Sequence, residues 1–237
     1  MTSDPVLITG VGRRAGYHLA KTFLGRGIPV IGTYRTRYDR LEELARDGAE
    51  LHYCDFSQPD AVRALVSEIT SSHDSLRGIV HNASDWLSDD APLPPNDVMD
   101  AMMRIHAGVP YELNQALAPL LLACTDTHSD IIHIGDYVST RGSKKHIAYA
   151  ASKAAQDNLT LSFAAKLGPK VKVNSLAPAL LKFNEDDDPA YRERALSKNL
   201  IPREGGFEEL QHAVDYLFSS RYVTGRVLPL DGGRHLR

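Results

Sequence analysis

The sequence predicts an α/β fold, a doubly wound sheet of about seven parallel strands with helices on both faces. Three observations carry the prediction. Short apolar runs alternate with helical patterns along the chain, the runs are continuously apolar as strands buried on both faces must be, and the first run ends in a glycine-rich turn. With 237 residues, 43% of them hydrophobic, the chain can build one domain with a full core.

In order, VLITG (6–10) reads as the first strand, followed by a helix from Arg14 to Gly25, PVIGTY (29–34) and a helix from Tyr38 to Asp47. AELHYCD (49–55) then precedes a helix near Pro59 to Ser71. GIVHNAS (78–84), a long helix across Pro95 to Cys124, DIIHIGD (130–136), a helix over His146 to Leu167 and VKVNSLAP (171–178) continue the alternation. A last helix from Phe207 to Ser219 leads to VLPLDGG (227–233). No linker or repeat interrupts this series, so residues 1–237 are expected to form a single domain. The stretch 180–206 breaks the regularity with the acidic run Glu185-Asp186-Asp187-Asp188 and the pair Gly205-Gly206. It is expected to be a mobile flap over a site, its acidic run either a solvated face or a gate.

Net charge of −3 offers no nucleic-acid or membrane surface. Cys54 and Cys124 lie far apart without metal-ligand spacing, so two buried thiols are expected and no metal is implied. His81 and His133 read as strand histidines with satisfied hydrogen bonds. An apolar strand begins by Pro5 with no basic leader before it, and no apolar stretch approaches about 18 residues. A soluble cytoplasmic protein is expected.

Chemistry enters at two places. The turn Thr9-Gly10-Val11-Gly12-Arg13-Arg14-Ala15-Gly16 follows the first strand and opens the first helix, where backbone N–H groups and the helix dipole favour a pyrophosphate. The second strand ends Thr33-Tyr34-Arg35-Thr36-Arg37, about twenty residues further on, where an acid would bind the ribose hydroxyls of NAD and arginine a 2′-phosphate. With no acid there, Arg35, Arg37 and Arg13 predict NADPH, against a reading as solvated charges. The second place is IIHIGDYVSTRGSKKHIAYAASKAAQD (131–157). Tyr149 and Lys153 are four residues apart, which puts them on one helical face, and Asp136 stands at the end of the preceding strand.

With this turn, Asp55 after the third strand, Asn82-Ala83 after the fourth and Tyr149-x-x-x-Lys153, residues 5 to 233 resemble the short-chain dehydrogenase/reductase family. That resemblance implies a Rossmann-like sheet, catalytic Tyr149 and Lys153, Asn82 and Ala83 beside the adenosine, Asp55 at the adenine and Pro178 at the nicotinamide. Three departures narrow it: Arg14 stands where most members have glycine, Ser84 follows Asn82-Ala83 where most have glycine, and Asp136 replaces the usual catalytic serine. These, with HNASDW (81–86), IHAGVPY (105–111), FNEDDD (183–188) and VTGRVLPLDGGRHLR (223–237), look like the pteridine reductases. The resemblance implies NADPH-dependent reduction of 7,8-dihydromonapterin, with weaker activity on 7,8-dihydrofolate, in a homotetramer that pairs the helices 95–124 and 146–167 at one interface and the C-terminal strand at another. Arg14, Ser84 and Trp86 would touch the pterin, Trp86 by stacking, unless it packs under a loop. His106 stands where the wider family carries an asparagine that holds a water.

Reduction of the C6=N5 imine needs hydride at C6 and a proton at N5. A carboxyl group suits a basic nitrogen, so Asp136 and Tyr149 are expected to share that proton and relay it to N5 directly or through water, with Lys153 holding the nicotinamide ribose and biasing the balance. Asp136 as a turn cap, with Tyr149 alone as acid, is the competing reading. A ketone or 3-oxoacyl reductase and a non-catalytic NADPH-binding regulator remain as alternative functions.

Overall fold

The computed structural model describes residues 4–237. Seven parallel strands form one sheet in the order β3-β2-β1-β4-β5-β6-β7: β1 (Val6–Ile8), β2 (Val30–Tyr34), β3 (Glu50–Tyr53), β4 (Gly78–His81), β5 (Ser129–Ile134), β6 (Val171–Pro178) and β7 (Arg226–Leu230). The order reverses between β1 and β4, which opens a crevice at the carboxyl ends of the strands.

Successive strand residues point to opposite faces, and this divides the core in two. Leu7, Ile31, Ile79, Ile131 and Val173 pack against α3 (Pro59–Ser72), α5 (Val109–Leu122) and α6 (Ile147–Leu167) through Leu65, Leu117 and Phe163. On the other face Val6, Ile8, Val80, Ile132 and Leu176 meet α1 (Arg14–Gly25) and α8 (Phe207–Ser219) through Leu19, Phe23, Leu210 and Val214. Burial on both faces is why these strands read as unbroken apolar runs.

Three elements differ from the sequence reading. The long helix across 95–124 is α4 (Pro95–Met103), a π turn over Arg104–Gly108, and α5; Val109 N–H closes the π turn on the Arg104 carbonyl. Pro110, which follows, has no N–H to return the ladder to α-helical register at His106. The helix expected over 38–47 is shorter, α2 (Arg40–Arg46). Within 180–206, α7 (Pro189–Leu196) begins at Asp188, whose carboxylate accepts from Tyr191 N at 3.1 Å, so the acidic run ends in a helix cap. Arg192 further ties this segment by donating to the carbonyls of Asn184, Glu185 and Asp187.

Cys54 and Cys124 are free and buried. No helix among the described residues is long and apolar enough to cross a membrane.

Candidate active site

The carboxyl edge of the sheet opens on a cavity of about 820 Å³, within the range of roughly 300–1,000 Å³ usual for ligand pockets. One end lies over the turn after β1. Gly10 has φ +74°, and a Cβ on Gly16 would stand 2.2 Å from the Gly10 carbonyl and 2.5 Å from Asn82 Nδ2, so this close approach of chain to chain requires glycine. Asn82 Nδ2 donates to the carbonyls of Thr9 and Gly10, and Thr9 Oγ1 accepts from the N–H groups of Asn82 and Ala83. Asn82 therefore braces the turn while lining the cavity with Ala83. The N-terminus of α1 has no side-chain cap and no acid in its first turn, which leaves its N–H groups for an anion. Tyr34, Arg35, Thr36, Tyr38 and Arg13 line the same end. The donors, charge and glycine cradle fit the diphosphate and 2′-phosphate of NADPH.

Other expected residues fall differently. Arg37 is exposed and outside the lining. Asp55 also lies outside it, because its carboxylate accepts from Ser57 N at 3.0 Å and forms the turn that starts α3; Cys54, Phe56 and Ser57 line the wall instead. Arg14 lines the cavity in a left-handed conformation, φ +52°, which explains why glycine is the easier residue there. Its guanidinium donates to the Lys182 carbonyl at 2.6 Å and to Asn184 Oδ1 at 2.9 Å, clasping the 180–206 segment. Trp86 is 63% exposed and stacks on His146, with ring centroids 4.1 Å apart and 27° between planes, off the cavity wall.

The central group does converge. Asp136 follows β5 after Gly135, and Tyr149 and Lys153 project from the first two turns of α6, which packs across β6 and the turn after β5. Tyr149 Oη donates to Asp136 Oδ2 at 2.8 Å, while Asp136 Oδ1 accepts from Val138 N at 2.9 Å. Asp136 is thus both turn cap and tyrosine partner. Burial raises its pKa, against the bonds from Val138 and Tyr149 and the charge of Lys153. Burial and the Asp136 carboxylate push Tyr149 far above its usual range. The two groups therefore favour forms in which the pair retains a proton. Lys153, fully buried, donates to the Ile134 carbonyl at 2.8 Å; burial lowers its pKa to about 8, with Asp136 and Asp157 opposing. Ser84 and Pro178 complete this wall.

Several contributors had no local signature. His106, brought inward by the π turn, bonds Ser84 Oγ through Nε2 at 2.7 Å and Ser152 Oγ through Nδ1 at 2.8 Å. Asp89 caps α6 across a gap of about sixty residues, accepting from Ile147 N at 2.8 Å. Asp85 pairs with Arg35 at 3.1 Å. His81 and His133 stack at 5.0 Å in the core beneath, bonded to Asn114 and Thr160. No group of acidic, histidine and cysteine side chains among the described residues has metal-binding geometry.

A parallel sheet reversing at β1 and β4, a glycine turn on a helix N-terminus, and a helix carrying tyrosine and lysine to the same crevice define a nucleotide-dependent oxidoreductase architecture. The chain belongs to the short-chain dehydrogenase/reductase family: residues 10–235 match the family model described as enoyl-(acyl carrier protein) reductase. It is 53% identical over 235 residues to a dihydromonapterin reductase of Escherichia coli O6:H1, covering 99% of this chain and 98% of that one. The dihydromonapterin reductase of Klebsiella pneumoniae subsp. pneumoniae is 52% identical over 233 residues, 98% of this chain and 97% of its own. The crystal structure of FolM alternative dihydrofolate reductase 1 from Brucella suis in complex with NADP superposes with TM-score 0.87 at 28% identity, over 99% of this chain and 96% of the other. The Pseudomonas aeruginosa RhlG/NADP complex gives 0.88 at 25%, over 99% and 97%.

Proposed function

We propose that this chain catalyses NADPH-dependent reduction of 7,8-dihydromonapterin to the 5,6,7,8-tetrahydro form, with weaker reduction of 7,8-dihydrofolate. The observation that carries the reading is a carboxyl group, Asp136, bonded to Tyr149 Oη at 2.8 Å where a ketone reductase of this family has a hydroxyl. NADPH held in this cavity would supply the hydride for C6 of the imine. Asp136 and Tyr149 hold the proton destined for N5, since burial keeps it on the pair. As the proton leaves, negative charge develops on the pair, and the Lys153 ammonium stabilises it. Gly10, Arg13, Arg14 and Gly16 would hold the diphosphate and Arg35 and Thr36 the 2′-phosphate, with Tyr34, Asn82, Ala83, Ser84 and Pro178 along the cofactor; Arg37 at the 2′-phosphate and Asp55 at the adenine would each turn in from outside the wall. Ser84, Arg14 and Trp86 would meet the pterin; Trp86 reaches it in this reading by leaving the His146 stack.

The family model is described by enoyl reduction, which favours a second reading as an enoyl or 3-oxoacyl reductase. Such substrates develop charge on oxygen, and a hydroxyl donor suffices there; a carboxyl acid matches nitrogen better. NADPH oxidation measured with dihydromonapterin, dihydrofolate, a small ketone and an enoyl thioester decides. Turnover of the ketone or thioester above that of the pterin refutes the proposal, and binding without any turnover points to a regulator. Trp86 is the sole tryptophan, so its emission reports stacking; an unchanged spectrum during pterin turnover removes Trp86 from the site.

The whole chain acts in this reading as one catalytic domain of the cytoplasm, with 180–206 covering the pocket. A homotetramer is supported by the exposed apolar residues Met103, Tyr111, Leu122 and Leu161 on α4, α5 and α6 and by the edge position of β7. Light scattering of the purified protein tests it.

A further inference from the structure

His106 is a fully buried imidazole beside the acid, and the chemistry above gives it no proton to carry. Its surroundings fix the direction of a chain of hydrogen bonds. Ser152 Oγ donates to the Tyr149 carbonyl at 2.7 Å. With its one proton committed there, Ser152 can only accept from His106 Nδ1, 2.8 Å away. The proton of the neutral ring thus sits on Nδ1. Burial and the charge of Lys153 hold the ring's pKa down to about 2, so a second proton is absent at any working pH. Nε2 is left bare and accepts from Ser84 Oγ at 2.7 Å; the competing acceptor, the Asp85 carbonyl, is farther at 3.3 Å.

Ser84 lines the cavity, and with its proton turned back toward His106 it presents only lone pairs there. We infer that His106 is a positioning residue that holds Ser84 as a hydrogen-bond acceptor toward the substrate, so that the site selects a ring edge bearing N–H donors over one bearing a carbonyl. This rests on the pterin reading for the identity of the ring. A pterin offers its 2-amino group and N3–H as such donors; the corresponding lumazine replaces the amine by a carbonyl, which would face Ser84 oxygen to oxygen. The residue also stands edge-on to the Tyr149 ring, centroids 5.3 Å apart at 88°, so loss of packing must be separated from loss of orientation.

Nitrogen-15 NMR of the histidine-labelled protein, with His106→Asn to assign the signal, reads the tautomer without any substrate. The expected result is a neutral ring protonated at Nδ1 and bare at Nε2 across the pH range of activity. A ring protonated at Nε2, or an imidazolium, overturns the inference. In kinetics, Ser84→Ala should lower kcat/KM for the dihydropterin about tenfold, the effect of one hydrogen bond. His106→Asn, too short to reach Ser84, should reduce the preference for dihydropterin over dihydrolumazine by about the same factor. His106→Gln, whose carbonyl oxygen can take the place of Nε2, should restore it. An unchanged preference in His106→Asn refutes the role even if overall activity falls. If no pterin is turned over, the functional reading fails while the tautomer measurement still judges His106.

Discussion

Replacing Asp136 by asparagine removes the proposed proton while keeping the shape of the side chain. In the native site each carboxylate oxygen has its own donor, Val138 N on Oδ1 and Tyr149 Oη on Oδ2. An amide has one oxygen; if that stays on Val138 N, the NH2 group faces the Tyr149 hydroxyl, which must then accept. The site remains filled and hydrogen-bonded, but the pair can no longer release a proton from a carboxyl group. Loss of a positioned general acid costs about 10²- to 10⁴-fold in rate, or about 2.7–5.5 kcal/mol in the barrier. The expected result is a fall of that size in kcat for dihydropterin with little change in KM for NADPH, measured by NADPH oxidation. The pH profile adds a second sign. Because burial raises the Asp136 pKa, activity of the native protein should decline as pH rises through that value, and the variant should lack this limb. The same shift makes a stability statement: a raised folded pKa contributes stability that is present at low pH and lost as pH rises through the folded value. The native protein's advantage over Asp136→Asn in urea unfolding should therefore shrink toward high pH. A variant with kcat within about threefold of native would refute the assignment of Asp136 as acid and leave Tyr149 in that role.

Three further perturbations follow from the geometry. Arg35→Ala should reduce the preference for NADPH over NADH by about 10- to 100-fold, the value of a charge-assisted bond to phosphate, as initial rates with the two cofactors will show. Asp89→Ala removes the carboxylate that caps α6 from across the chain; a loss of about 1 kcal/mol, and hence about 2–4 °C in Tm, is expected from calorimetry. Glu50 would be raised by burial, but hydrogen bonds from His52 and His73 outweigh this and lower its pKa. Its contribution should be present above the usual glutamate pKa and vanish as pH falls through the folded value, and since Glu50 is 40% exposed, Glu50→Gln should cost no more than about 1 kcal/mol in urea at neutral pH.

Much of the architecture was legible because it is locally encoded. A strand buried on both faces writes itself as a continuous apolar run, and the alternation of strands and helices implied a parallel sheet, whereas the reversal between β1 and β4 that opens the cavity came from the tertiary structure. The break in the helix across 95–124 was not legible, since a π turn needs only one extra residue and leaves the apolar periodicity almost intact. The helix inside 180–206 was hidden by the polarity of the segment, although Asp188 followed by Pro189 is a recognisable start signal.

The sequence by itself determined the spacing of Tyr149 and Lys153 on one helical turn and the glycine turn after β1. It also determined the placement of Asp136 at a strand end, because each depends on residues within a few positions of one another. Tertiary structure decided where the long side chains and loops point. Arg14 turns to carbonyls about 170 residues away, Trp86 lies on His146, Asp55 serves its own turn, and His106 joins Ser84 to Ser152. The physical reason is that a strand or helix fixes its own side-chain directions through backbone geometry, whereas a loop side chain goes to whichever donor, acceptor or ring the rest of the fold brings within reach.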